Sequence, residues 1–183
     1  MVYVFLAEGF EQMEAMCPID LMRRAGIEVV TVGVTGREVK SANGVSVIAD
    51  IRPEEMCMDK AEMIFLPGGL PGAAYLSQST DVKDAIAYAM SNDLYIAAIC
   101  AAPFVLAEQG VLQGKRATCY PGKDPVLAAG GATVCLEENL IVEGKVITAK
   151  AAGSSIELGL TLCRLLRGEE AAKQVAQDIF YGC

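Results

Sequence analysis

Short apolar runs with almost no polar interruption constrain this chain more than any other feature. Val2–Leu6, Ile27–Val34, Met63–Leu66 and Leu94–Ile99 are of this kind. A strand with one wet face alternates polar and apolar residues, so a continuous apolar run must be covered on both faces. Between the runs lie stretches with helical periodicity: Glu11–Ala25, Val82–Met90, Ser154–Leu166 and Glu169–Gln177. Gly26 and Gly168 stand as stop signals after the first and third of these. Asn43-Gly44, inside Gly36–Ile51, is a hairpin signal. Ala117–Cys119, Thr133–Leu136, Leu140–Val142 and Val146–Thr148 read as later strands. Strands alternating with helices give an α/β fold, a mostly parallel sheet with helices on both faces. No linker, repeat or low-complexity tract breaks the chain, so residues 1–183 are expected to form one domain.

Ligands of such sheets sit beyond the carboxyl ends of the strands. That rule selects residues 7–14, 67–72 and 100–103. Composition then limits the chemistry available there. The chain has no histidine, which excludes Ser-His-Asp and Cys-His arrangements, histidine metal ligands and a histidine pH switch. No peptidase activity is expected for that reason. The seven cysteines, 17, 57, 100, 119, 135, 163 and 183, form no C-x-x-C pair, and their scatter suits reduced thiols in a cytoplasmic protein. The net charge of −8 disfavours nucleic acid as a partner. The apolar run Leu94–Ala107 is too short for a membrane span, which needs roughly 20 residues. Met1–Glu8 lacks the basic start of a secretory leader, so none is expected.

Cys100 stands where a strand runs into a helix. Ala101 and Ala102 are the small neighbours that a nucleophile elbow requires, and Pro103 suits a first helical turn. A thiol at a helix N-terminus feels the positive end of the dipole, which favours thiolate. On this reading the Cys100 pKa falls below the free value. A buried structural cysteine is the competing reading. Gly68 and Gly69, in Pro67-Gly68-Gly69-Leu70-Pro71-Gly72, fit neither a dinucleotide fingerprint nor a P-loop. They make a turn whose N–H groups could serve an oxyanion beside an activated cysteine. Glu11 and Glu14 complement the dipole of the first helix, but Pro18 cannot donate to the carbonyl of Glu14. A protonated Glu14 carboxyl could donate to a nearby thiolate. Arg23 and Arg24 read as a solvated helix face, and Lys150–Ser155 as a turn with a serine N-cap.

Five segments together resemble the ThiJ/PfpI superfamily. They are Ala7–Glu14, Pro18-Ile19-Asp20, Arg23–Gly26, Leu66–Gly69 and Ala97–Pro103. Within it they are most similar to the branch of the parkinsonism-associated protein deglycase and its bacterial YajL-type relatives. The resemblance implies a flavodoxin-like sandwich and a homodimer. It implies that Cys100 is the reactive, oxidation-prone cysteine and that Glu14 is the protonated carboxyl touching its sulfur. Gly69 and Ala101 would offer N–H groups to an oxyanion. Arg24 would help organise the pocket, partly across the dimer interface.

Two positions depart from the branch's pattern. Where many relatives carry a histidine before a proline, this chain has Tyr120 before Pro121. Where the parkinsonism-associated members have a second arginine, it has Ser41-Ala42-Asn43-Gly44. The resemblance implies an enzyme acting on small reactive dicarbonyls or their adducts, with a small-molecule carbonyl substrate and no metal or other cofactor. A redox sensor or chaperone-like protein built on Cys100 oxidation is the alternative, and an amidase or peptidase, disfavoured by the lack of histidine, the third.

Overall fold

A computed structural model describes residues 1–182; Cys183 lies outside the described residues. The order is β1 (Val2–Leu6), α1 (Gln12–Arg24), β2 (Val29–Gly33), β3 (Glu38–Lys40), β4 (Ser46–Ile48), β5 (Met63–Leu66), α2 (Gly72–Gln78) and α3 (Thr80–Ser91). The chain continues through β6 (Tyr95–Ile99), α4 (Pro103–Glu108), β7 (Arg116–Ala117), α5 (Asp124–Ala129) and β8 (Thr133–Val134). It ends with β9 (Leu140–Glu143), β10 (Val146–Ala149), α6 (Ser155–Arg167) and α7 (Glu169–Asp178).

The main sheet has the order β2-β1-β5-β6-β10-β9, parallel except for β9 at its edge. Its first five strands follow the flavodoxin-like order, whose direction of winding reverses between β1 and β5. The apolar runs are covered on both faces. Val2, Val4, Leu6, Phe65 and Ile99 pack with Ala15, Met22, Leu158 and Leu162 of α1 and α6. Tyr3, Phe5, Ile64, Leu66 and Ala98 pack with Leu76, Ile86 and Leu106 of α2, α3 and α4. Neighbouring residues of one strand thus feed opposite layers, as the period of two requires. The hairpin around Asn43-Gly44 forms as expected, with Val39 opposite Val47.

Three local readings change. The sequence pattern gave no helix at α2 or α5, whose seven and six residues are too short for helical periodicity to stand out. Glu11 is the N-cap of α1 rather than part of its first turn; its carboxylate accepts from the Glu14 N–H at 2.8 Å. Ser154 occupies the cap position of α6 but makes no side-chain capping bond, because a 3₁₀ turn over Ala152–Ser154 leads directly into the helix. Among the described residues no helix is long and apolar enough to cross a membrane.

Candidate active site

Three strand ends on both sides of the winding reversal meet at one point. β1 leads into α1 and supplies Glu14. β5 runs into Gly68 and Gly69. β6 runs into Cys100, which has φ +63°. A left-handed backbone is unusual for a residue with a Cβ and marks a conformation imposed by its surroundings. Those surroundings are visible: the Cys100 N–H donates to Ala149 O at 2.9 Å, its carbonyl accepts from Tyr120 N–H at 2.8 Å, and Ala102 N–H closes the turn onto Ile99 O at 3.0 Å. Pro103 then opens α4 at its first position. This is the strand–turn–helix geometry of a nucleophile elbow.

The Cys100 thiol stands against the Glu14 carboxyl and faces the backbone N–H groups of Gly69 and Ala101. Glu14 is 1 % exposed, and Oε2 accepts from Gly68 N–H at 3.1 Å. The Ala152 N–H also faces the carboxyl. Gly68 is glycine for want of room: a Cβ there would stand 2.5 Å from Glu14 Oε2 and 2.7 Å from Cys100 Cβ. Gly69, at φ +91°, turns its N–H towards the sulfur while its Cα side is pressed within 2.4 Å of Glu11 N by any added Cβ.

Burial pushes the Glu14 carboxyl up to about 7, with the charge of Glu11 adding to the rise and hydrogen bonds from Cys100, Gly68 and Ala152 opposing it. The expectation of a lowered thiol pKa does not hold for Cys100 taken alone. Burial, then the charge and hydrogen bond of Glu14, push its thiol up to about 12 against the Gly69 and Ala101 N–H groups. The helix dipole invoked from the sequence is weak here, because α4 has only six residues. The two acids are in contact and titrate as a pair. From about pH 7 upward the pair holds one proton, on carboxyl or sulfur. With the proton on Glu14, the neighbouring charge that raises the thiol pKa is gone, and the carboxyl becomes a donor to sulfur anion.

Of the residues singled out from the sequence, Cys100, Glu14, Gly68, Gly69 and Ala101 therefore come together. Tyr120 adjoins them through its backbone, while its side chain is half exposed. Arg24 does not join them within the protomer. It lies at the far end of α1, about 15 Å along the axis from Glu14, and its Nε donates to Asp20 Oδ2 at 2.8 Å. Ala152 is the residue missed. The small-residue run Ala151-Ala152-Gly153 after the β10 strand was its only signal. Cys119, Cys135 and Cys163 are buried, Cys17 is half-buried and Cys57 is exposed; none of these five is disulfide-bonded.

The DJ-1/PfpI family model matches residues 1–165. The chain belongs to the DJ-1/PfpI family. It is 38% identical over 174 residues to the Parkinson disease protein 7 homolog of Danio rerio, covering 94% of this chain and 92% of the relative. It is 27% identical over 172 residues to the glutathione-independent glyoxalase DJR-1.2 of Caenorhabditis elegans, covering 94% and 91%. The crystal structure of Drosophila melanogaster DJ-1beta superposes with a TM-score of 0.95 at 34% identity, covering 100% of this chain and 98% of that one. That structure shares the fold that carries the Cys100 elbow here.

Proposed function

We propose that this chain is a cytoplasmic, cofactor-independent enzyme that uses Cys100 on small reactive dicarbonyls such as methylglyoxal, or on their adducts with thiols and amines. One observation carries the reading: two backbone N–H groups and a carboxyl raised to about 7 converge on a single sulfur. A family relative named as a glutathione-independent glyoxalase supports the same chemistry. Dicarbonyl isomerisation needs a nucleophile, an anion-stabilising cradle and one group that alternates between acid and base near neutral pH.

The Cys100 sulfur forms a bond to the aldehyde carbon, and the displaced electron pair moves to the carbonyl oxygen. Gly69 and Ala101 N–H groups stabilise that oxyanion, and Glu14 gives it a proton. The product is a hemithioacetal. Glu14, now a carboxylate, removes the hydrogen from the same carbon as a proton and returns it to the neighbouring carbonyl carbon, while the proton on the first oxygen passes to the second. The resulting thioester is hydrolysed by water, releasing a 2-hydroxy acid and the thiol. One water is added, and one carbon-bound and one oxygen-bound hydrogen move within the substrate, so no oxidant or reductant is consumed.

The same donors around the sulfur favour a second reading, oxidation of Cys100 to sulfenate or sulfinate as a stress signal. Turnover decides between them. Methylglyoxal conversion to 2-hydroxypropanoate is followed by proton NMR for the native chain, Cys100→Ser and Glu14→Gln. We expect no turnover in the first variant and a loss of about a hundredfold or more in the second. Full activity in Cys100→Ser overturns the enzymatic reading. No turnover in any form, with selective peroxide oxidation of Cys100, establishes the sensor in its place.

A further inference from the structure

We propose that a groove at the opposite end of the sheet from Cys100 binds a medium-chain aliphatic monocarboxylate. The groove has a volume of about 410 Å³, within the range of small-molecule sites, which runs from about 300 to 1,000 Å³. It opens where β6 and β10 begin, roughly the length of β6, or about 15 Å, from the Cys100 elbow. Its floor is apolar, made by Ala89 of α3, Ile96 of β6, Val146 of β10 and Val111 after α4, all buried.

Two lysines stand on its walls, and their situations differ. Lys145 is already neutralised: Nζ lies 2.6 Å from Asp93 Oδ2, also donates to the Asp93 carbonyl, and stands 5.5 Å above the Tyr95 ring. Lys115 is half-buried in the groove and pairs with no carboxylate among the described residues. A partly desolvated ammonium without a counter-charge is an anion site in waiting, in a chain whose net charge is −8.

The backbone on both walls is held in place. Thr133 N–H donates to Lys115 O at 2.8 Å, and Ile96 N–H donates to Lys145 O at 2.9 Å. The groove is thus preformed, which lowers the ordering cost of binding. Its lining selects the occupant. The apolar floor takes an aliphatic tail, and Lys115 takes the head. With Lys145 and Asp93 neutralising each other, Lys115 is, among the described residues of the groove, the one cation left to balance a ligand charge, so a monoanion fits better than a dianion.

Octanoate is the probe, with 1-octanol and acetate as controls for tail and charge alone. Methyl-resolved NMR titrations are run on the native chain, Lys115→Gln, Lys115→Arg and Cys100→Ser. Octanoate should shift the methyls of Ile96, Val111 and Val146 and bind about tenfold or more tightly than either control. Lys115→Gln should reduce octanoate to the level of octanol, Lys115→Arg should keep it, and Cys100→Ser should leave it unchanged. Thermal unfolding of each variant confirms that it is folded. The proposal is overturned if octanoate binds no better than octanol, if Lys115→Gln binds it as the native chain does, or if the shifts centre on residues around Cys100.

Discussion

At Glu14 a buried carboxyl is held between opposing influences, and the balance has a stability consequence. Its folded pKa, about 7, lies above the ordinary 4.5, so the folded state binds this proton more tightly than the unfolded chain. The stabilisation is complete below about pH 4.5 and is lost as pH rises through 7. A shift of this size corresponds to about 3 kcal/mol, an order-of-magnitude figure for a group almost wholly buried. Urea unfolding across pH 4–8 should therefore show the native chain losing stability over that interval relative to Glu14→Gln. A difference between the two that stays constant with pH contradicts the assignment. Local signals in the sequence, Pro18 for Glu14 and the small neighbours and apolar strand for Cys100, drew attention to each residue, while their pairing came from the family resemblance. It misjudged the thiol pKa because that depends on burial and on a partner 86 positions away in the chain.

Among the elements, the pairing of α1 with α6 sets where Glu14 stands. Gly159 of α6 lies against Pro18 and Leu21 of α1; an added Cβ would come 2.6 Å from Leu21 Cδ1 and 3.1 Å from Pro18 Cα. Backbone on one side and a buried side chain on the other leave little room to yield. Gly159→Val should destabilise the fold by about 1–3 kcal/mol, measured by urea unfolding, through overpacking at the crossing. Unchanged stability would show that the helices separate freely there. The main strands were legible since they are almost wholly apolar, and β5 was placed to the residue. α2 and α5 were not, being short helices rich in Gly, Ala and Pro whose burial comes from tertiary contact rather than from an amphipathic pattern. The Ala152 N–H escaped for a related reason: a backbone donor has no residue type to announce it.

For the whole molecule, the apolar composition leaves large side chains in solvent. Met13 of α1 is 57% exposed, and Val45 and Ile48 of the β3–β4 hairpin are 50% and 74% exposed. The hairpin is tied to the start of α1 by Ala42 N–H to Phe10 O at 2.8 Å and Ser41 Oγ to Gln12 Oε1 at 2.6 Å, which brings these residues to one region of the surface. Large apolar side chains left in solvent in one region mark an interaction surface. We expect a homodimer formed through it. Light scattering should give twice the chain mass of 19.3 kDa, and Ile48→Glu should return the monomer. A native monomer at micromolar concentration contradicts this. A dimer would also give Arg24, remote from Cys100 within one protomer, its remaining opportunity to approach a pocket.

The central claim is that one proton shared between Glu14 and Cys100 makes the sulfur reactive near neutral pH. Alkylation of Cys100 by iodoacetamide, followed by peptide mass against pH, tests it in the native chain and in Glu14→Leu. The native rate should rise through about pH 7, where the pair loses its first proton and the carboxyl can hold the second. Leucine removes the donor while keeping the site buried, so the rise should move above the free-thiol value of about 8.5. A rise that stays at the same pH, or moves lower, contradicts the shared proton.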